Sequence, residues 1–455
     1  MVEARKRCAF FTLGCKVNQY DTEGLAEAFQ KQGYEIVDFN SEADVYCINT
    51  CTVTHVADKK SRQAIRRAKR RNPKSIVVAI GCYAQVAPKV ISSIPEVDVI
   101  VGTQGRAGIV DLVEQALTGE QELPLISVSP NTPRALFEEM PISCPIKRVR
   151  GFVKIQDGCN EFCAYCKVPY ARGPSRSRKP GNIIEEVKRL VDSGVQEIVL
   201  TGVHIGAYGK DLSLQDDKII PDLSWLLGKI HAIPGIGRIR LSSIEPLDID
   251  ECLINKIKEL PKMALHFHIP LQSGDDKILE GMGRQYRTGD YRRIIQKIRT
   301  VIPEIAVTTD VMVGFPGESE ENFINSYEFV KSLEFSGMHV FKFSRRPGTR
   351  AFHMKHQVNS KILNSRSKRM RQLAISLESE FCRALVGKNE EVLAEEFEPE
   401  KRMVTGIGSR YIRIRTPGEE SLVGSLIPVK ITEHYQAAVF AKRVLPHEEG
   451  FRIRN

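Results

Sequence analysis

Between Arg150 and Ser344 the chain alternates six short apolar runs with helical stretches, and no other feature limits its fold so tightly. The runs are FVKIQ (152–156), EIVLTG (197–202), RIRLSS (238–243), ALHFHIP (264–270), IAVTTDVMVG (305–314) and MHVFKFS (338–344). Helical spacing fills the intervals at 182–193, 250–260, 290–301 and 320–333. Parallel strands need long crossovers, and a helix is the usual one, so this alternation implies a parallel sheet covered by helices. Six such units make most of a barrel, short of the full eight.

The same alternation, with different lengths, opens the chain. CAFFTLG (8–14), ADVYCINT (43–50), SIVVAIG (75–81) and DVIVG (98–102) read as strands. Helical spacing at 22–32, 58–71 and 108–117 separates or follows them. This defines an N-terminal parallel α/β domain over 1–118. The stretch 119–145 carries five prolines and no clear period, so it reads as a linker. The central barrel is expected over 146–376, and 360–387 reads as one long helix that runs on from it. Short alternating strands with Gly and Pro at their turns, from EEVLAEEFE to AAVFAKRVL, read as a small closed β-barrel within 377–447. The fold class is α/β with a C-terminal β-barrel, and 455 residues are ample for several domains.

No apolar run approaches the length of a membrane span, and the N-terminal apolar run lacks a signal-peptide cleavage pattern. A cytoplasmic protein with no membrane partner is the expectation. Eleven cysteines in such a chain favour metal or redox chemistry over disulfides. The net charge of +10 is concentrated. Lys59–Lys74 holds nine basic residues and no acid, Lys342–Arg371 ten and none, and Lys147–Lys179 nine against two. Acid-poor blocks of this kind point to a polyanionic partner such as RNA.

The chemistry concentrates in DGCNEFCAYC, whose Cys159, Cys163 and Cys166 are spaced C-x3-C-x2-C directly after the first central strand. That is the C-terminal end of the strand, where barrel active sites lie. A zinc site would need a second C-x2-C, and none exists elsewhere in the chain. A two-cysteine redox motif would not need Cys159. Three close thiolates on one loop suit an iron–sulfur cluster. A second set shares one structural address: Cys15, Cys51 and Cys82 each follow a strand of the N-terminal domain, at the sheet edge where open α/β sheets bind ligands. Cys8 and Cys47 lie inside strands and read as core, and Cys144, Cys252 and Cys382 have no partner pattern.

C-x3-C-x2-C with Tyr165 before its last cysteine resembles the radical S-adenosylmethionine superfamily. GCKVNQYDTE, NTCTVT and GCYAQ, then GCNEFCAYCKVPYARGPSRSR and DVMVGFPGE, are similar to its methylthiotransferase family over nearly the whole chain. The resemblance implies a cluster-binding N-terminal domain, a partial (βα)6 radical core and a TRAM-type β-barrel. It implies two [4Fe-4S] clusters, one on Cys15, Cys51 and Cys82 and one on Cys159, Cys163 and Cys166. The second leaves an iron open for S-adenosylmethionine. At strand ends, Gly202, Ser243, Glu245 and Gln272 become candidates for S-adenosylmethionine contact, beside Tyr165 in the cysteine loop. tRNA, an external electron donor and a sulfur source are the implied partners. Arg66, Arg67, Arg70 and Arg71 are candidates for the tRNA phosphates, since residues 388–455 hold eleven basic and eleven acidic residues and no basic excess. Lys16-Val17-Asn18 after the first ligand resembles the branch acting on N6-threonylcarbamoyladenosine of tRNA, giving its 2-methylthio derivative. Isopentenyl-adenosine in tRNA or a ribosomal-protein aspartate are the alternative substrates. A non-enzymatic RNA-binding protein with structural metal is the alternative of a different class.

Overall fold

The computed structural model describes residues 5–132, 136–144, 149–212, 221–435 and 438–444. These form two compact units. The first comprises the described residues of Met1–Ser143, Gln156–Arg178 and Ser344–Phe352; the second, those of Cys144–Ile155, Lys179–Phe343 and His353–Asn455.

The first unit is built on a six-stranded parallel sheet. Its strands are β1 (Arg7–Thr12), β2 (Glu35–Val37), β3 (Val45–Thr50), β4 (Ile76–Gly81), β5 (Val99–Val101) and β6 (Leu125–Ser127), in spatial order β2-β1-β3-β4-β5-β6. VYCINT and IVVAIG are buried at every position, as expected of parallel strands covered on both faces. Alternate residues feed two separate cores. Val45, Cys47 and Val78 join Cys8, Phe29 and Val113 on one side; Tyr46, Ile48 and Val77 join Ile65, Ala68 and Ile91 on the other.

Two expectations change here. The stretch 119–145 is not a bare connector: it supplies edge strand β6 and the buried Met140 of the sheet core. A three-residue edge strand bounded by Pro124 and Pro130 is too short for a period to register. The first helix spans Lys16–Lys31, six residues earlier than its apolar spacing indicates. Its first buried positions include Asn18, Asp21 and Thr22, which a hydrophobic pattern reads as loop.

The chain next forms β7 (Arg150–Lys154) of the second unit. It then returns to the first as β8 (Gln156–Asp157), paired antiparallel with β9 (Arg176–Ser177). The second unit continues with β10 (Glu197–Thr201), β11 (Arg238–Leu241), β12 (His266–His268), β13 (Ala306–Val313) and β14 (Gly337–Lys342). β11-β10-β7 and β12-β13-β14 are parallel sheets, joined by parallel bridges Ile239–Met263 and Ser243–His268. Six parallel strands thus follow one another in chain order, as the sequence implied. Gly151 faces the helix Pro180–Asp192, where an added Cβ would lie 3.1 Å from Leu190. By alternation and register, Phe152, Lys154, Glu197, Arg238 and Arg240 therefore face the concave side.

After the 25-residue helix Ser360–Ala384 comes a closed barrel of β15 (Asn389–Glu398), β16 (Met403–Gly408), β17 (Arg413–Pro417), β18 (Leu426–Tyr435) and β19 (Ala438–Arg443). Its β16–β17 turn docks beneath the parallel strands. Arg238 donates to the carbonyls of Glu391 (2.8 Å) and Ile407 (2.9 Å), and Arg240 to those of Gly408 (2.9 Å) and Ser409 (3.1 Å). Glu197 accepts from both guanidiniums, at 2.5 and 2.9 Å. Burial alone would raise its carboxyl, but Arg238 and Arg240 hold it down at about 2. Tyr411 stacks on His266 with centroids 4.6 Å apart, and Arg240 lies over the same ring. Among the described residues no helix is long and apolar enough to cross a membrane.

Candidate functional site

The strand order of the first unit reverses between β1 and β3, and an open α/β sheet has its crevice at such a reversal. Cys15 follows β1 and Cys51 follows β3, on its two banks; Cys82 follows β4 and opens the short helix Cys82–Val86. Cys15 is exposed and stands at the N-cap of Lys16–Lys31, where first-turn N–H groups favour negative charge. Cys51 and Cys82 are buried. Gly14 has φ +103°, and a Cβ there would come within 3.0 Å of the Cys51 sulfur, so the turn that presents Cys15 admits no side chain. Burial, then the charges of Cys82 and Cys15, push the Cys51 thiol up to about 12. Burial likewise raises Cys82, with Arg172 acting against it and Cys15 with it. Three cysteine sulfurs gathered at one sheet edge are a donor set suited to a cationic metal centre, whose binding would release thiol protons.

Asn18 organises this crevice. Its amide donates to the carbonyls of Leu13 (2.7 Å) and Thr50 (3.2 Å), tying the loops that follow β1 and β3. Its Oδ1 lies 3.9 Å from the Cys82 sulfur, and its carbonyl accepts from Asn49 at 2.9 Å.

The second triad lies on the loop between β8 and β9. Gly158 (φ +75°) starts the loop, and a Cβ there would sit 1.9 Å from the Pro174 carbonyl oxygen. Backbone N–H groups converge on sulfur: Glu161 N is 3.3 Å from Cys159 Sγ and Val168 N is 3.4 Å from Cys166 Sγ. Cys166 N donates to Cys163 O at 3.0 Å. Such N–H···S contacts stabilise thiolates and tune a cluster bound to them. Tyr165 is half-buried in the same loop.

Sequence reasoning missed what connects the triads. The buried Arg172 guanidinium grips Asp157 with one nitrogen at 2.9 and 3.0 Å. Its other terminal nitrogen reaches Asn18 Oδ1 (2.6 Å) and Asp21 Oδ2 (2.9 Å). Asp21 also pairs with Arg106 (2.5 Å), which pairs with Glu138 (2.8 Å) from the stretch taken for a linker. A strap, Ser344–Phe352, completes the unit. Arg346 pairs with Asp58 (2.7 Å) and donates to Thr52 (2.6 Å) beside Cys51. Ala351 N donates to Ala164 O (2.8 Å) between Cys163 and Cys166. Polar residues with buried partners carry no periodic signature; the one available signal was Arg172 and Arg346 standing within acid-poor blocks.

Those blocks change in meaning. In Lys147–Lys179, Lys154, Arg172, Arg176 and Arg178 are all buried. In Lys342–Arg371, Arg346 and Arg366 are buried, and Arg366 pairs with Glu318 at 2.7 Å. Much of the basic excess therefore serves internal ion pairs. On the helix His55–Arg71, Arg67 and Arg71 hydrogen-bond to Asn40. Arg66 and Arg70 are exposed, and no hydrogen bond or ion pair engages them among the described residues.

In the second unit, Gly202, Ser243, Glu245 and Gln272 stand at or just beyond the C-terminal ends of β10, β11 and β12. Glu245 pairs with Arg284. Gln272 holds a left-handed φ of 67°, fixed by hydrogen bonds from its N to Asp310 O and to its O from Met312 N, both 2.8 Å. A cluster the sequence did not indicate lies on β12, β13 and β14. Asp310 faces His268 Nε2 at 3.2 Å and His339 Nδ1 at 3.1 Å. Burial opposes its ionisation, but hydrogen bonds from both imidazoles bring Asp310 down to about 2.

Residues 7–102 match the family described as "Uncharacterized protein family UPF0004", and residues 153–330 match the radical SAM superfamily. The chain is 40% identical over 449 residues to the threonylcarbamoyladenosine tRNA methylthiotransferase MtaB of Bacillus subtilis (strain 168), covering 98% of this chain and 96% of that protein. It is 37% identical over 452 residues to the tRNA-2-methylthio-N(6)-dimethylallyladenosine synthase of Moorella thermoacetica, covering 95% and 97%. Among solved structures, the radical S-adenosylmethionine methyltransferase TsrM from Kitasatospora setae has a TM-score of 0.54 at 17% identity, over 76% of this chain and 77% of that one, a likeness of fold. In chain order, a parallel α/β sheet is thus followed by a radical SAM domain and a closed β-barrel. The chain belongs to the MtaB-type tRNA methylthiotransferase family of radical SAM enzymes. It is therefore an enzyme, and the reading as a non-enzymatic RNA-binding protein falls.

Proposed function

We propose that this enzyme installs a methylthio group on adenine C2 of N6-threonylcarbamoyladenosine in tRNA, at position 37 beside the anticodon, using S-adenosylmethionine and two [4Fe-4S] clusters. The observation that carries the reading is the presence of two three-thiol sets in one compact unit. Relatives named for this activity, 40% identical over nearly the whole chain, support the substrate. Cys159, Cys163 and Cys166 hold one cluster, and Cys15, Cys51 and Cys82 the other. When bound, these groups with S-adenosylmethionine supply a carbon radical, which suits a C–H bond that offers no easily removed proton, and a carrier for the sulfur that replaces the hydrogen.

The chain's own residues prepare both sites. The N–H groups of Glu161 and Val168 stabilise negative charge on Cys159 and Cys166. Asn18 and the Arg346 strap fix the loops that carry Cys15, Cys51 and Cys163. Tyr165, Gly202, Ser243, Glu245 and Gln272 contact S-adenosylmethionine. Exposed Arg66 and Arg70 meet tRNA phosphates, with Arg67 and Arg71 shaping the same helix face. An external electron donor and a sulfur source complete the reaction, which takes place in the cytoplasm. The C-terminal barrel is of the TRAM type.

Nucleoside mass spectrometry of tRNA from cells with and without the gene tests the substrate. Loss of 2-methylthio-N6-threonylcarbamoyladenosine on deletion is expected. Its persistence, with loss of the methylthiolated dimethylallyl nucleoside instead, would move the enzyme to the branch of its 37%-identical relative.

A further inference from the structure

One buried side chain, Arg172, makes direct contacts with residues flanking both triads. We propose that Arg172 is a positioning residue that fixes the Cys15/Cys51/Cys82 site to the Cys159/Cys163/Cys166 loop and sets the charge beside Cys82. The inference rests on the two-cluster reading above and goes beyond it. Arg172 spends one terminal nitrogen on Asp157, two residues before Cys159, and the other on Asn18 and Asp21, in the turns after Cys15. Asn18 Oδ1, which accepts from this guanidinium at 2.6 Å, lies 3.9 Å from the Cys82 sulfur, so the charge stands beside that thiol. Its side chain is 2% exposed, as are those of Asp21 and Asp157, so solvent does not screen these contacts. Arg106 shares Asp21 Oδ2 with Arg172 at 2.5 Å, and Arg176 approaches Asp157 Oδ2 at 3.4 Å. A planar, permanently charged fork can hold both anchors at once, whereas an ammonium presents a single point.

A cation beside a cluster ligand favours the reduced, more negative state. Its loss should lower the reduction potential of that cluster more than that of the other. The test is an EPR-monitored redox titration of the anaerobically reconstituted full-length enzyme as wild type, R172M and R172K, with iron content and thermal melting beside it. In R172M we expect one-electron reduction of the Cys15/Cys51/Cys82 cluster to become at least tenfold less favourable, about 59 mV. R172K keeps the charge and is expected to stay within threefold of wild type. A merely structural role would lower the melting temperature of both variants and move neither potential. If R172M does not fold, R172Q loses the charge, keeps an N–H for Asp157, and carries the same measurement. Unchanged potentials at both clusters in a folded, fully loaded R172M or R172Q overturn the proposal. A wild-type enzyme that loads only one cluster overturns the two-cluster reading instead, so the two failures are distinct.

Discussion

Replacing Glu197 by Gln removes the carboxylate shared by two buried guanidiniums and leaves the shape nearly unchanged. Arg238 and Arg240 then retain their bonds to the carbonyls of Glu391, Ile407, Gly408 and Ser409 but lose the shared carboxylate, leaving Arg238 only the Glu391 carboxylate at 3.8 Å. All three side chains are at most 2% exposed, so water cannot take its place. Removing one member of a buried ion pair typically costs about 3–5 kcal/mol, because the remaining charge stays desolvated. The depressed carboxyl gives an independent figure. A fall from 4.5 to about 2 corresponds to about 3 kcal/mol at roughly 1.4 kcal/mol per unit. For a large unit each kcal/mol moves the melting temperature by about 2 °C, so E197Q should melt about 6–10 °C lower. Differential scanning calorimetry measures this, and limited proteolysis reports whether the C-terminal barrel has come away from the parallel strands. Combining E197L with R238M and R240M removes the stranded charge. It should recover part of the loss but not all, because the four carbonyls then lack their donors. An E197Q melting temperature within about 2 °C of wild type would refute the view that this ion pair holds the barrel in place.

The same carboxylate predicts an acid limit. Its folded pKa lies below the ordinary value, so its contribution is complete above about pH 4.5 and is lost as pH falls toward about 2; melting curves against pH should steepen there in wild type and be flatter in E197Q. C163A should abolish S-adenosylmethionine cleavage, whereas C51A should retain cleavage and lose sulfur insertion; equal loss of cleavage in both would contradict the division of labour between the triads. R66A/R70A should weaken tRNA binding and reduce the salt slope of log Kd by about two units, as for two lost phosphate contacts, while R71A, tied to Asn40, should do less. A slope unchanged in R66A/R70A would remove that helix face from the tRNA interface.

The sequence determined the parts that periodicity and spacing can encode. A buried parallel strand must be apolar throughout, and a covering helix must carry a stripe, so all six central strands and the terminal barrel were legible. Cys159, Cys163 and Cys166 were legible because one loop holds all three. Cys15, Cys51 and Cys82 could be grouped because strand ends in a parallel sheet share an edge. Resemblance, not periodicity, supplied the chemistry.

Tertiary structure alone decided the rest, wherever a charged residue finds its partner far along the chain. Arg172 and Arg346 stood in blocks that looked like nucleic-acid surface, yet their partners are Asp21, 151 residues away, and Asp58. Edge strands β2 and β6 have three residues each, fewer than a period needs to show itself. The grouping of 156–178 and 344–352 with the N-terminal sheet also lies outside any local pattern. A buried ion pair depends on two positions meeting in space, and one position by itself carries only a charge.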